Sequence, residues 1–487
     1  MKFFLVILAF AISFDALAAS SLELDLKPND PVAASAIKIK GIRHQIHLSN
    51  DVLSVATTWH LSDINISAPS KLLFGSIYKS KKVVSVYVDG RTATFTSDSS
   101  GVLNVDISAW PHELEIRYEL LNAKTDALLE ISSREFFALL PYIASNSGYG
   151  FDIRPTSSLN FSDLIITKAE VTGANDLIVF GSAPATIRSD SVQIEARAAG
   201  RFVFGLANPR VYRKTYFSSA GTRFLVLSPT GILGFDPKVF KKVISKSWPI
   251  YRALFPNPSD WIVFHDDPSL PVGAGPTGSN VFGFGYQQSV PPEVQNFLLD
   301  QAGWPKFRTS EEYMKYLIPS SPDPIGDYWK TIINHELGHL FFGFGLTTER
   351  HPLPHNYWMS LGLGLAVDEL ITTRMTGRPA EFYDGLIAYW KEKLSTLPID
   401  QKLEMPDIAA DRLYQVSSFN RLQHFAHGKS LYFWRRVRSG IGDIRFIQLV
   451  RDFVKRGGHS LGYRSFRPTL LKVLPELPET EEELQIL

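Results

Sequence analysis

The pentad HELGH, residues 335–339, constrains this chain more than any other stretch of its 487 residues. Residues four apart lie on the same face of a helix, so His335 and His339 can present two imidazoles to one metal ion. Glu336 follows directly and can reach a metal-bound water. Two neutral histidines and a carboxylate base form the core of a zinc hydrolase site. The pentad therefore predicts Zn²⁺ as cofactor, His335 and His339 as ligands and Glu336 as catalytic base.

The surrounding run, DYWKTIINHELGHLFFG (residues 327–343), predicts a helix. Its apolar residues recur at helical spacing, Asp327 is placed to cap the start, and Gly343 is placed to end it. The histidines border the apolar stripe, so the helix should be largely buried. Buried imidazoles need polar partners, and a metal would supply them.

The first 18 residues are typical of a bacterial secretory signal peptide. Lys2 precedes a short apolar run, and Ala16-Leu17-Ala18 fits the cleavage pattern. We therefore expect a periplasmic or secreted protein with no membrane span after cleavage, since no other stretch is apolar enough. The chain has no cysteine, which excludes disulfides and thiolate metal ligands.

Charge excludes two classes of partner. The net charge is +1 with no basic block, so neither nucleic acid nor an anionic membrane is expected as a partner. The hydrophobic content of 45% is enough for large buried cores.

The pattern along the chain predicts a multidomain α+β protein. Residues 19–197 contain short alternating or β-branched runs and predict an all-β, sandwich-like domain. Residues 198–487 change in character, with a β-rich lobe over about 198–290 followed by a mainly helical lobe over about 291–487. Within the β-rich lobe we expect a helix over 237–255 that is kinked or ended near Pro249, a strand over 261–267, and a glycine-rich loop over 271–286 that either cradles a ligand or simply turns.

The order of these elements resembles the catalytic domain of the gluzincin metallopeptidases, in particular the M1 aminopeptidases and the M61 glycyl aminopeptidases. The resemblance extends over about residues 200–460 and is most specific at HELGH. It implies a thermolysin-like, two-lobed catalytic domain and an exported zinc peptidase that acts on a peptide or protein substrate. It assigns the zinc ligands to His335 and His339 and the general base to Glu336.

The family takes its third zinc ligand from a glutamate on a downstream helix, often within an E-G-x-A pattern. The segment SLGLGLAVDEL, residues 360–370, permits two registers. In one, Gly364-Leu365-Ala366 is the G-x-A and the ligand position holds Leu363, which cannot bind zinc. In the other, Glu369 is the ligand, with Asp368 as an alternative. We predict Glu369.

The family also carries a catalytic tyrosine before a long helix. The matching segment is HFAHGK, residues 424–429, followed by SLYFWRRVRSGIGD. Phe425 holds the tyrosine position and cannot donate a hydrogen bond to an oxyanion. His424, His427 and Tyr432 are the candidate substitutes, and we predict His427.

These departures favour a second hypothesis. With Leu363 and Phe425 at two catalytic positions, the chain would be a catalytically degenerate peptidase-fold protein that serves as a binding or scaffold module in the cell envelope.

Overall fold

The structure is a computed structural model. Its described residues are 39–49, 52–61, 71–74, 81–97, 103–120, 128–131, 141–144, 150–151, 165–198, 202–230, 235–255, 259–266, 272–276, 280–286, 309, 312, 315, 318, 320–341, 357–376, 381–385, 387–388 and 419–455. The predicted signal peptide, residues 1–18, lies outside this part of the chain. None of the helices in it is long and apolar enough to cross a membrane.

Before residue 235, every regular element among the described residues is a strand. The strands are β1 Ile39–Ser49, β2 Val52–Leu61, β3 Lys71–Phe74, β4 Lys81–Val88, β5 Arg91–Thr92, β6 Phe95–Ser97, β7 Leu103–Asp106, β8 Glu113–Leu120, β9 Leu128–Ile131, β10 Pro141–Ala144, β11 Gly150–Phe151, β12 Ile165–Thr172, β13 Ile178–Gly181, β14 Thr186–Ile187, β15 Ser191–Ala198, β16 Phe204–Ala207, β17 Tyr212–Ser219 and β18 Thr222–Pro229. The predicted strand content is therefore confirmed for the described residues between 39 and 197.

Strands β1–β16 form three sheets. The largest has eight strands in the order β14-β15-β12-β1-β2-β8-β4-β5; a five-stranded sheet has the order β11-β10-β3-β7-β6, and a three-stranded sheet the order β13-β16-β9. Alternate side chains of a strand point to opposite faces of its sheet, so a strand with one buried face has alternating apolar residues. In the largest sheet, β2 buries Leu53, Val55 and Trp59 on one face in this way. Strand β16 lies beyond residue 198 and yet pairs with β9 and β13 of the preceding region.

The second region is built on a mixed sheet in the order β17-β18-β19-β21-β20, completed by β19 Trp261–Asp266, β20 Val272–Pro276 and β21 Val281–Tyr286. Helix α1, Pro237–Leu254, connects the parallel strands β18 and β19. The helix continues through Pro249 to Leu254, so it does not end at the proline, as one of the two predicted alternatives had it. The glycine-rich segment is also not a plain loop, because β20 and β21 pair as an antiparallel hairpin.

The longer helices that follow are α2 Pro324–His339, α3 Tyr357–Thr376, α4 Phe419–Ile441 and α5 Asp443–Lys455, and residues 381–385 and 387–388 are also helical. Helix α2 carries the pentad as predicted, but it begins earlier. Asp323 is its N-cap and accepts a hydrogen bond from Gly326 N, whereas Asp327 lies in the first turn. The helix ends at His339 with Leu340 as its C-cap, and Gly343 lies outside the described residues. Together, the elements confirm a mixed α and β protein.

Two hydrogen bonds join the first region, which is the region of strands β1–β16, to the mixed sheet. The Trp261 indole donates to Gly181 O at 2.9 Å, and the Asn280 amide donates to Ser182 O at 2.8 Å. Around them, apolar residues from both regions form one cluster, which includes Phe180, Leu225 and Val263. On its other face the mixed sheet packs against α1 and α2 in a second cluster rich in phenylalanine and tryptophan, and this cluster positions the pentad.

Candidate metal centre

Helix α2 brings three metal-capable side chains together. The ligand atoms of His335, Glu336 and His339 lie within 4.8 Å of one another, and all three residues are buried. The two imidazole rings have centroids 4.5 Å apart and stand nearly perpendicular, at 80°. The structure therefore brings together the two predicted ligands and the predicted base, as the helical spacing requires.

Asp368 on α3 fixes the orientation of the first histidine. Its Oδ2 lies 3.0 Å from His335 Nδ1, and both side chains are almost completely buried. With the Nδ1 proton directed to the carboxylate, Nε2 of His335 is left as a lone-pair donor. A carboxylate behind a metal-binding histidine is the usual way in which proteins set the tautomer of that ligand.

Tyr251 on α1 holds Asp368 from the other side. Its hydroxyl lies 2.6 Å from Asp368 Oδ1 and 3.1 Å from the backbone oxygen of Asn334. The Asn334 amide in turn donates to Asp368 O at 3.1 Å and to Thr372 Oγ1 at 2.8 Å. Polar contacts therefore join α1, α2 and α3 directly behind His335.

Gly338 allows α2 and α3 to approach this closely. A Cβ built at this position would lie 2.2 Å from Asp368 Oδ1 and 2.9 Å from Asp368 Cγ. No side chain fits that space. The glycine of HELGH thus has a packing role that the sequence motif alone does not reveal.

Burial dominates the electrostatics of this cluster. It lowers the pKa of His335 to about 3, so that the imidazole is neutral, as metal binding requires. It raises the pKa of Glu336 well above its ordinary value, and the charge of Asp368 adds to that effect. Burial also raises the pKa of Asp368, and the hydrogen bond from Tyr251 partly offsets this rise. A bound dication would favour the charged form of both carboxylates.

The surroundings of the buried Glu336 carboxylate indicate whether these residues fit a cation. Neither of its oxygens has a hydrogen-bond partner among the described residues, although Glu336 is 0% exposed. An isolated buried carboxylate is costly unless it is paired, neutralised or bound to a cation. The imidazoles of His335 and His339 also supply two of the three protein ligands that a catalytic zinc takes, and Glu336 lies beside them without being one of these ligands. On both counts the site fits Zn²⁺.

The predicted third ligand lies elsewhere. The carboxylate of Glu369 accepts hydrogen bonds from Arg435 Nε, at 2.9 Å, and from Arg435 Nη2, and Arg438 Nη1 lies 3.4 Å away. It is absent from the group that holds His335 and His339 in the described residues. Leu363, the ligand position in the other register, is apolar and buried. The structure thus brings Asp368, and not Glu369, to the histidines, and Asp368 bonds to His335 Nδ1.

The predicted catalytic residue His427 lies in α4, Phe419–Ile441, and so do His424 and Phe425. The segment was predicted to precede the helix, and it is instead part of it. The side chains of these three residues lie outside the described part of the structure. Tyr432, the remaining candidate, accepts a hydrogen bond from Arg436 Nη1 at 3.4 Å.

Comparisons with known proteins give no match by sequence: no protein-family model and no curated protein matches the chain. Solved structures do match. Native LTA4 hydrolase from Saccharomyces cerevisiae is 14% identical, with a TM-score of 0.56 over 94% of this chain and 69% of that one. An M1 zinc metallopeptidase from Deinococcus radiodurans is 13% identical, with a TM-score of 0.52 over 90% of each chain.

A variant of the Deinococcus radiodurans M1 zinc metallopeptidase, bound to a Tyr-Ser-Ala substrate, is 12% identical, with a TM-score of 0.51 over 93% of each chain. At such identities the likeness concerns the fold alone. It shows that this chain has the fold of the M1 zinc metallopeptidases, which supports the gluzincin fold that the motif order predicts.

Proposed function

We propose that this chain is an exported zinc-dependent peptidase of gluzincin type, with a thermolysin-like, two-lobed catalytic region behind an N-terminal β domain and with a peptide or protein as substrate. One observation carries the proposal. A buried His335-Glu336-His339 group has its first imidazole oriented by Asp368 and its carboxylate without another partner among the described residues. The fold of M1 zinc metallopeptidases supports it.

In this proposal His335 and His339 hold the zinc. The ion supplies a Lewis acid that polarises the substrate carbonyl and lowers the pKa of water. Glu336 accepts a proton from water as the water oxygen bonds to the carbonyl carbon, and it passes that proton to the amine nitrogen as the C–N bond breaks. Asp368 and Tyr251 keep His335 in one tautomer and one orientation throughout.

The remaining predictions from sequence, Glu369, His427 and export, have different places in this proposal. Because Glu369 is bound by Arg435 and Arg438, we assign it to the packing of α3 on α4. His427 stays a prediction, for which the variant His427→Ala with a kcat measurement is the test. Export rests on residues 1–18, and N-terminal sequencing of the mature protein should find cleavage after Ala18.

The decisive experiment compares the mature wild-type chain with Glu336→Gln, which keeps the shape of the side chain and removes the base. We expect about one zinc per chain in both proteins, and peptide hydrolysis lowered by a factor of at least about 10² in the variant. His335→Ala should lose the zinc. Equal hydrolysis by the wild type and Glu336→Gln would refute the assignment of Glu336.

The buried, apolar Leu363 favours the second candidate, a peptidase-fold protein that binds without cleaving. The described residues gather only two imidazoles and one carboxylate, with Asp368 engaged by His335 and Tyr251. On this hypothesis no peptide library is cleaved by the zinc-loaded wild type, and Glu336→Gln leaves peptide binding unchanged. Turnover by the wild type, lost in Glu336→Gln, excludes it.

A further inference from the structure

A groove of about 630 Å³ lies where the first region meets the mixed sheet, away from the metal centre. Its floor consists of Phe180, Leu225 and Trp261, which are buried or nearly so. One wall is the segment 184–192 around β14, and the other is β17. Strand β17 is one outermost strand of the mixed sheet, and β20, which contacts α2, is the other. The groove is therefore at the opposite edge of the sheet from the pentad.

Two outermost strands border this groove. β14 is the last strand of the eight-stranded sheet, and β17 is the last strand of the mixed sheet, within the part of the chain that the structure describes. An outermost strand presents alternate backbone N–H and C=O groups to whatever lies beside it. Such an edge is the surface to which extended peptides add as a further strand.

The mouth of the groove exposes apolar side chains. Ile187 on β14 is 81% exposed and Tyr216 on β17 is 59% exposed, and both line it. The Tyr216 ring lies 6.3 Å from that of Trp261, so an aromatic surface continues from the mouth to the floor. Exposed apolar side chains that flank a groove are typical of a site for a partner.

The charged residues that line the groove are all basic: Arg188, Lys214 and Arg223. Arg223 lies over the Trp261 ring at 5.7 Å. Among the described residues none of the three forms an ion pair, and no aspartate or glutamate lines the groove. Asp190 lies between two lining residues and accepts a hydrogen bond from Ser189 instead. The groove thus combines a positive charge with an apolar floor.

We propose that this groove binds an extended acidic peptide segment that carries an aromatic or apolar side chain. The segment lies along β17 and directs its apolar side chain to Leu225 and Trp261, while its carboxylates meet Lys214, Arg188 and Arg223. The volume suits a short peptide, since ligand pockets in proteins span roughly 300–1,000 Å³. Strand alternation supports the assignment, because Lys214 and Tyr216 project to the same face of β17.

Fluorescence anisotropy tests the proposal with the Glu336→Gln protein, which should cleave the probe far more slowly than the wild type if the chain is a peptidase. The probes are a fluorescein-labelled Glu/Tyr peptide as long as β17, its Lys/Tyr counterpart, and the Glu/Tyr peptide with N-methylated backbone. We expect saturable binding of the acidic peptide that weakens with salt, and at least about tenfold weaker binding of each of the other two.

Lys214→Glu provides the variant and Arg213→Glu its matched control. Both are exposed basic residues on β17, but they project to opposite faces, and only Lys214 lines the groove. Lys214→Glu should weaken the acidic peptide about tenfold, while Arg213→Glu leaves its affinity unchanged.

Three results would overturn the proposal: equal binding of the acidic and basic peptides, equal losses in Lys214→Glu and Arg213→Glu, or undiminished binding of the N-methylated peptide. Zinc content and peptide hydrolysis are measured in separate assays. Loss of the groove proposal would therefore not refute the proposed peptidase activity, and absence of peptidase activity would not refute peptide binding in the groove.

Discussion

Replacing Gly338 by alanine should disrupt the contact between α2 and α3 behind the metal ligands. The added methyl would lie 2.2 Å from Asp368 Oδ1, where ordinary contacts begin at about 3.4 Å. Asp368 must therefore retreat by about 1 Å or α3 must shift. Either movement stretches the bonds that Asp368 makes with Tyr251, at 2.6 Å, and with His335, at 3.0 Å.

The energetic cost follows from those two hydrogen bonds. Each bond to a buried carboxylate contributes about 1.5–3 kcal/mol, so losing both costs about 3–6 kcal/mol. Alanine is the better helix former by about 1 kcal/mol, which offsets part of the loss. We expect a net decrease of about 2–5 kcal/mol in the free energy of unfolding. Zinc affinity should fall about 10–100-fold, the usual effect of losing a carboxylate behind a ligating histidine.

Gly326→Ala, on the same helix, is the matched control. Its methyl would lie 2.1 Å from Asp323 Oδ2, but Asp323 is exposed and can turn into water. The loss of the cap, about 1 kcal/mol, and the gain in helix propensity nearly cancel. Urea unfolding and a competitive zinc titration should therefore separate the two variants. If Gly338→Ala matched Gly326→Ala in both measurements, the proposed role of the α2–α3 contact would be refuted.

Three further variants follow from the same contacts. Tyr251→Phe removes the hydroxyl that donates its one proton chiefly to Asp368 Oδ1, so the free energy of unfolding should fall by about 1.5–3 kcal/mol and zinc affinity about tenfold, as measured by urea unfolding and zinc titration. Glu369→Gln should cost about 1–2 kcal/mol by releasing Arg435 and Arg438 while zinc content stays unchanged; loss of the zinc would restore Glu369 as a ligand. Burial lowers the pKa of His44 to about 3, so this imidazole is neutral in the folded chain. Between pH 6.5 and pH 3 only the unfolded chain binds the proton. The free energy of unfolding therefore decreases as the pH falls from 6.5 towards 3. Between pH 6.5 and 4.5 the wild type should therefore lose about 2–3 kcal/mol more than His44→Asn, and parallel pH profiles of the two proteins would contradict this.

Local patterns predicted the elements well where one face of an element meets a core. The apolar spacing around HELGH predicted α2, and alternation predicted strands such as β4 and β8, because in both cases periodicity follows from burial on one side. The start of α2 was predicted too late in the chain, because Asp323 and Asp327 can each cap a helix. Only the Asp323 carboxylate accepts a hydrogen bond from a backbone N–H of the first turn. Helix α1 does not end at Pro249, because residues on both sides of the proline, from Phe240 to Tyr251, are buried in the cluster that the sheet and α2 share.

The site could be predicted only as far as it lies within one helix. His335, Glu336 and His339 follow from helical spacing, whereas the identity of their outer partner depends on how α3 rotates against α2. Asp368 and Glu369 are adjacent, so they project about 100° apart around that helix, and only one of them can face the histidines. Packing decides this: Gly338 opens a space that Asp368 fills, and Arg435 and Arg438 on α4 hold Glu369 away from it.

If His335 holds a zinc as proposed, the contacts behind it couple metal binding to folding. Tyr251, Asn334 and Asp368 join three helices through hydrogen bonds that converge on one metal ligand. Without a cation, burial drives Glu336 and Asp368 towards their neutral forms, and a neutral Asp368 is a weaker acceptor for Tyr251 and His335. A bound dication would restore both charges and thereby strengthen the same bonds. The junction of α1, α2 and α3 is therefore the part of the fold that zinc should stabilise most.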